Sequence, residues 1–179
     1  MTASLLGAAA PGFDRPLAVL EACHGRIAKQ CDTLEKLLAH LHEHGADAQA
    51  QQAARAVLAY FDTAGVHHHD DEERNLFPLL EQAGAPGACE LVETLTLEHD
   101  AQALIWRRLR AELQAIEAGT AAVLDAELTR RFVEMNRAHL EFENTHVLPL
   151  ARQVLGAADL ERLGRAMAAR RGVPFAGSL

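Results

Sequence analysis

The sequence predicts an all-α protein: an antiparallel, up-and-down four-helix bundle followed by a short C-terminal helix. Three observations predict it. Ala, Leu, Glu, Gln and Arg dominate the 179 residues, and all favour helix, whereas the β-branched residues of a large sheet are sparse. Apolar residues recur at spacings of three, four or seven along four long segments. Glycine-containing breaks separate those segments near residues 46, 85 and 119.

The first segment runs from Asp14-Arg15-Pro16, read as an N-cap followed by Pro in the first turn, to about His44. Leu17, Leu20, Cys23, Ile27, Leu34, Leu37, Leu38 and Leu41 mark one face, and Gly45 is the stop. The second starts near Asp47 and carries Val57, Leu58, Phe61, Leu76, Leu79 and Leu80, with Gly65 and Pro78 as expected bends. Gly84-Ala85-Pro86-Gly87 is the strongest break. The third spans about 88–118 and ends at Gly119; the fourth spans about 121–155 and stops at Gly156. Long helices joined by short loops pack as antiparallel neighbours. The expected organisation is a leader over 1–14, a bundle over 15–155, and a short helix and tail over 156–179. The tail helix, with Leu160, Leu163 and Met167, is expected to pack on the bundle or on a second copy in a homodimer.

Charge and composition narrow the function classes. Seventeen Lys and Arg stand against 25 Asp and Glu, a formal net charge of −8, which argues against nucleic acid or an anionic membrane surface as partner. Aromatic content of 4% leaves no stacking platform for bases. No apolar run reaches the roughly 18 residues of a membrane span, and Met1 to Pro11 has no basic residue before its short apolar stretch, so it is not read as a signal peptide. Cys23, Cys31 and Cys89 are odd in number and form no CxxC, which fits a reducing cytoplasm better than a disulfide framework.

Ten histidines are the anomaly. His68 and Glu72 are four apart, as are His139 and Glu143, so each pair shares one helix face. The segments His68–Leu79 and His139–Leu150 align without a gap at an offset of 71, each reaching Pro ten residues after its His. His24 and His99, on the preceding helices, repeat at an offset of 75. The chain thus reads as a duplicated helical hairpin, each half carrying one His and then one HxxxE. Counting from the loop centres at about 1.5 Å per residue brings all six residues to one level of an antiparallel bundle. Buried carboxylates are costly unless paired or bound to metal. Four imidazoles and two carboxylates suit two first-row metal ions, and leave positions open for O2, NO or peroxide. Iron fits this donor set best, with Mn or Zn as possible substitutes.

His24, then His68-xxx-Glu72-Glu73-xx-Leu76-Phe77-Pro78, then Glu98-His99-Asp100, then His139-xxx-Glu143-Asn144-xx-Val147-Leu148-Pro149 resemble the hemerythrin-like, or HHE cation-binding, family over about residues 15–155. The resemblance implies a non-haem di-iron centre with His24, His68, Glu72, His99, His139 and Glu143 as ligands. It also marks a departure. Oxygen-carrying members offer a second His four residues after the first on the third helix, where this chain has Ala103. The iron–sulfur-cluster repair relatives share the six-ligand pattern but carry paired N-terminal cysteines, and residues 1–14 contain none.

Further residues receive bland expectations. His146, seven after His139 and three after Glu143, is expected to hydrogen-bond near the site, and Glu21, one turn before His24, to orient it or to lie in solvent. His67 and His69 are expected at the surface or beside a ligand, and His40, His42 and His44 at a helix end. No catalytic residue is assigned. The leading function is a di-iron protein that binds or senses O2, NO or redox state, or handles iron. The competing ones are a di-iron enzyme with oxidase, peroxidase or NO-reductase chemistry, a cluster-repair-like role, a ferritin-like carboxylate protein using Glu21-xx-His24 and Glu143-xx-His146, and a metal-free helical interaction module.

Overall fold

The computed structural model describes residues 11–175. Of these, 83% are helical and none lies in a strand. Helix α1 spans Pro16–His44. A second stretch is built from α2 (Ala48–Tyr60), α3 (Val66–Asp71) and α4 (Phe77–Gln82), joined by π turns at Phe61–Gly65 and Glu72–Leu76. Helix α5 spans Ala88–Glu117. Helix α6 (Ala126–Phe142) continues through a π turn at Glu143–Val147 into α7 (Leu148–Val154), and α8 spans Ala157–Arg170.

Most helix ends follow from local chemistry. Gly45, Gly84, Gly87 and Gly119 take positive φ, which lets the chain leave or enter a helix without Cβ strain. The Asp47 carboxylate accepts from the Ala50 amide at 2.8 Å and caps α2. Two ends differ from expectation. Arg15, not Asp14, occupies the N-cap of α1, and no side chain bonds the first turn; Pro16 alone sets the entry. The fourth stretch begins at Ala126 rather than near 121. Asp125 accepts from the Leu128 amide at 2.9 Å, and this cap wins over the helix-forming Ala121–Leu124 segment.

Gly65 and Pro78 do not simply bend the second stretch; the chain widens into π turns instead. Pro78 and Pro149 have no N–H to give and their rings crowd the carbonyl four residues earlier. The turns just before them absorb this, with the Phe77 amide donating to Glu72 O and the Leu148 amide to Glu143 O, one residue further back than in an α-helix.

Packing closes a ring: α1 lies against α2 and α6, and α5 against α2 and α6. Two apolar clusters fill it. One gathers Ile27, Leu34, Val57, Phe61, Ile105, Leu109, Leu113 and Phe132. The other gathers Leu20, Leu76, Phe77, Leu80, Leu95, Leu148, Leu163 and Met167. Helix α8 packs on α1 and α3 and closes the second cluster. Gly164 is required there: a Cβ would sit 2.0 Å from the Phe13 carbonyl oxygen, where the N-terminal segment crosses α8. Among the described residues no helix is long and apolar enough to cross a membrane.

Candidate metal centre

Between the two apolar clusters lies a polar layer. His24, His68, Glu72, His99, His139 and Glu143 are all buried, at 0–3% exposure. Each arrives on the buried face of its helix. His24 comes from α1, His68 from α3, His99 from α5 and His139 from α6, while Glu72 and Glu143 open the two π turns that precede the prolines. The four-residue spacing holds within each pair: His68 Nε2 lies 3.5 Å from Glu72 Oε1, and His139 Nε2 lies 3.4 Å from Glu143 Oε2.

Contacts across the bundle join the halves. His24 Nε2 is 3.3 Å from Glu143 and 3.8 Å from Glu72; His99 Nε2 is 3.6 Å from Glu72. The donors form two groups that share a carboxylate. His24, His68, Glu72 and Glu143 converge in one, and His99, His139 and Glu143 in the other, with the donor atoms of each within 4.8 Å.

Three imidazoles are braced through Nδ1. His24 donates to Asn144 Oδ1 at 2.7 Å, His99 to Glu73 at 2.7 Å, and His139 to Glu98 at 2.6 Å. Each bond places the proton on Nδ1 and turns the Nε2 lone pair toward the layer. His99 Nε2 and His139 Nε2 then face one another at 3.0 Å, which two bare lone pairs do not tolerate without a proton or cation between them. Two nitrogens at about 2.1 Å from one ion and at right angles lie about 3.0 Å apart.

The layer is also short of partners. His24 Nε2, both nitrogens of His68, Glu72 Oε2 and both oxygens of Glu143 are buried without a hydrogen bond. Leaving such groups unpaired costs on the order of 1–3 kcal/mol each, more when charged. Burial, with Glu143 beside it, raises Glu72 well above the usual carboxylate range. Burial and neighbouring histidines hold His68 well below its ordinary value and His99 at about 2. Burial pulls His139 down too, but the Glu143 carboxylate 3.4 Å away and the bond to Glu98 outweigh it and leave it raised. These donors fit a cation. It would take up lone pairs that nothing else satisfies, and its charge would offset two carboxylates that otherwise repel.

Not every expected neighbour reaches the layer. His146 is exposed; its ring stacks on Phe142, and Nδ1 contacts Thr145 Oγ1 at 2.7 Å. The π turn at Glu143–Val147 inserts the extra residue that carries it off the shared face. Glu21 is exposed and pairs with Arg152 at 2.8 Å, not with His24. His69 is mostly buried and stacks on His99, with ring centroids 3.9 Å apart. Glu73, Glu98 and Asn144 escaped the sequence reading as braces, although each adjoins a candidate ligand in the chain.

An all-helical protein that gathers four imidazoles and two carboxylates around its core is built as a cation-binding bundle. The profile described as "Hemerythrin HHE cation binding domain" matches residues 15–151, and the chain belongs to that family. It is also 29% identical over 161 residues to a protein of Haemophilus influenzae (strain ATCC 51907 / DSM 11121 / KW20 / Rd) described as "Uncharacterized protein", covering 90% of this chain and 92% of the relative.

Proposed function

We propose that the chain holds two first-row metal ions, iron in the first instance, through His24, His68, Glu72, His99, His139 and Glu143, and binds or senses O2, NO, peroxide or redox state there. The four long helical stretches run up and down in antiparallel order in this reading, and the ring of helix contacts supports it. The observation that carries the proposal is the buried layer of facing donors without partners, above all the 3.0 Å approach of His99 Nε2 to His139 Nε2. Two such ions supply a redox-active, Lewis-acidic centre for a small ligand.

The chain's own residues do the rest. His24 and His68 face one carboxylate pair, His99 and His139 face Glu143, and Asn144, Glu73 and Glu98 hold three rings in orientation. Ala103 puts no imidazole into the layer from α5, which leaves the His99 and His139 side open to a ligand.

Metal analysis of protein from iron-replete cells, with optical spectra in air and under anaerobiosis, tests the proposal. Two ions per chain and a stable small-ligand adduct are expected. Purified chain that takes up no transition metal overturns the proposal, and sustained multiple-turnover consumption of O2, NO or peroxide replaces binding with enzymatic activity. His68→Ala and Glu72→Ala should each lower the stoichiometry below two.

A further inference from the structure

One residue turn beyond the polar layer is a cavity that the metal reading does not use. Ile27, Gly65, Gln102 and Asn136 each lie three positions from His24, His68, His99 and His139, and all four line it. Its volume is about 90 Å³. Phe61, Trp106 and Phe132 form an aromatic wall, with ring centroids 4.8–5.7 Å apart. His69 lines the side toward the layer, where it stacks on His99.

Two features mark this cavity as built rather than left over. The first is its backbone. The π turns at Glu72 and Glu143 precede prolines, but the third, Phe61–Gly65, does not. Its counterpart at the 71-residue offset, residues 132–136, is ordinary α-helix. That turn supplies Phe61 to the wall and Gly65 to the lining. It also supplies Asp62, which accepts from Trp106 Nε1 at 3.1 Å and is itself held by Arg110 at 2.8 Å. Single π turns inside α-helices are frequent at functional sites. The second feature is chemical. Gln102 is 3% exposed, and its amide Nε2 is buried with no hydrogen-bond partner. A donor in that state calls for an acceptor.

We propose that this cavity binds a small organic molecule of about four to five non-hydrogen atoms with one hydrogen-bond-accepting oxygen, such as a short ether, ketone or alcohol. The size follows from the volume: a cavity of about 150 Å³ holds benzene, and a water takes about 30 Å³. The aromatic wall takes the apolar body, and Gln102 takes the oxygen. The cavity adjoins the His99 and His139 side, where Ala103 lines its rim. A molecule seated there lies beside the open side of the metal layer.

Trp106 is the single tryptophan of the chain and lines the cavity, so it reports occupancy directly. Full-length protein loaded with zinc is titrated with tetrahydrofuran, and with cyclopentane as the isostere without oxygen. Trp106 emission and the indole N–H resonance are followed, and metal content is measured on the same samples. Saturable binding on the order of millimolar is expected for tetrahydrofuran, roughly three to tenfold tighter than for cyclopentane. Gln102→Leu should erase that preference, and Ala103→Phe should abolish saturation. A response that never saturates, equal affinities for the two probes, or an Ala103→Phe variant that binds like the parent overturns the proposal. Saturable binding in a chain that holds no metal pair would sink the metal reading and leave this one standing.

Discussion

Each imidazole in the polar layer is only as well aimed as the group behind it. Glu73 and Asn144, at the 71-residue offset, brace His99 and His24, so the duplication extends to these bonds. Glu98 braces His139, but its counterpart at the 75-residue offset is Cys23, whose Sγ accepts from Arg26 at 3.1 Å, and His68 Nδ1 is left without a partner. Losing an outer partner of a metal-bound histidine typically costs 10–100-fold in affinity. Glu98→Ala and Glu73→Ala should therefore weaken metal binding by about that factor in a competition titration, at unchanged saturating stoichiometry, while Glu21→Ala leaves affinity alone.

The metal-free chain should also carry a pH signature. His68, His99 and His69 are depressed by burial, His69 to about 4. The folded state thus binds fewer protons than the unfolded state below pH 6.5, and stability falls as pH drops, by about 1.4 kcal/mol per unit for each uncompensated histidine. The raised Glu72 and His139 work in the opposite sense, Glu72 above about pH 4.5 and His139 above about pH 6.5. Denaturant midpoints at pH 5 and 6.5 check the sum; a midpoint that is flat or rises toward pH 5 contradicts it. At this scale the six candidate ligands were legible because HxxxE spacing and a repeated register are properties of the chain. The braces were not, because each reaches across to a ring on a different helix, and the repeat that relates Glu73 to Asn144 does not say which ring either one meets.

Helices α1 and α5 followed closely from the apolar period and the glycines at their ends. The π turns did not, and their consequence is local but real: one inserted residue puts His146 in solvent instead of beside Glu143. The sequence contains the cause, since Pro78 and Pro149 each stand six residues after the candidate carboxylate, but a proline can kink, break or widen a helix. Only the packing around Glu72 and Glu143 decides. Helix α8 is the other element that composition left open, and it docks on the same chain. Leu163 and Met167 are fully buried against the second cluster. Leu163→Ala should cost about 2–5 kcal/mol by chemical denaturation, with no loss of bound metal at saturation.

For the molecule as a whole, a polar layer interrupts an otherwise apolar interior, and the two clusters on either side do not repair it. A bound cation would offset the charge of its two carboxylates, and in that case folding and metal occupancy are linked. A ligand present at about a thousand times its dissociation constant adds about 4 kcal/mol to stability. Metal stripping should lower Tm by several degrees, and readdition of Fe(II) under anaerobiosis should restore it; an unchanged Tm would separate the layer from stability. The bundle was legible at this scale because loops near residues 46, 85 and 119 set the lengths of its members. The cavity beside the layer was not, because it is empty space left by Gly65 and Ala103, and sequence patterns record side chains rather than gaps.

Asp71 adjoins Glu72 in the chain, is wholly buried, and is clasped by Arg170 and Arg171 from the end of α8. A helix that carries none of the six candidate ligands thereby offsets the charge beside one of them. Were α8 to lift away, an uncompensated anion would stand next to Glu72 and tighten the grip on positive charge. In the metal reading, the C-terminal helix would thereby help set how strongly the layer holds a cation.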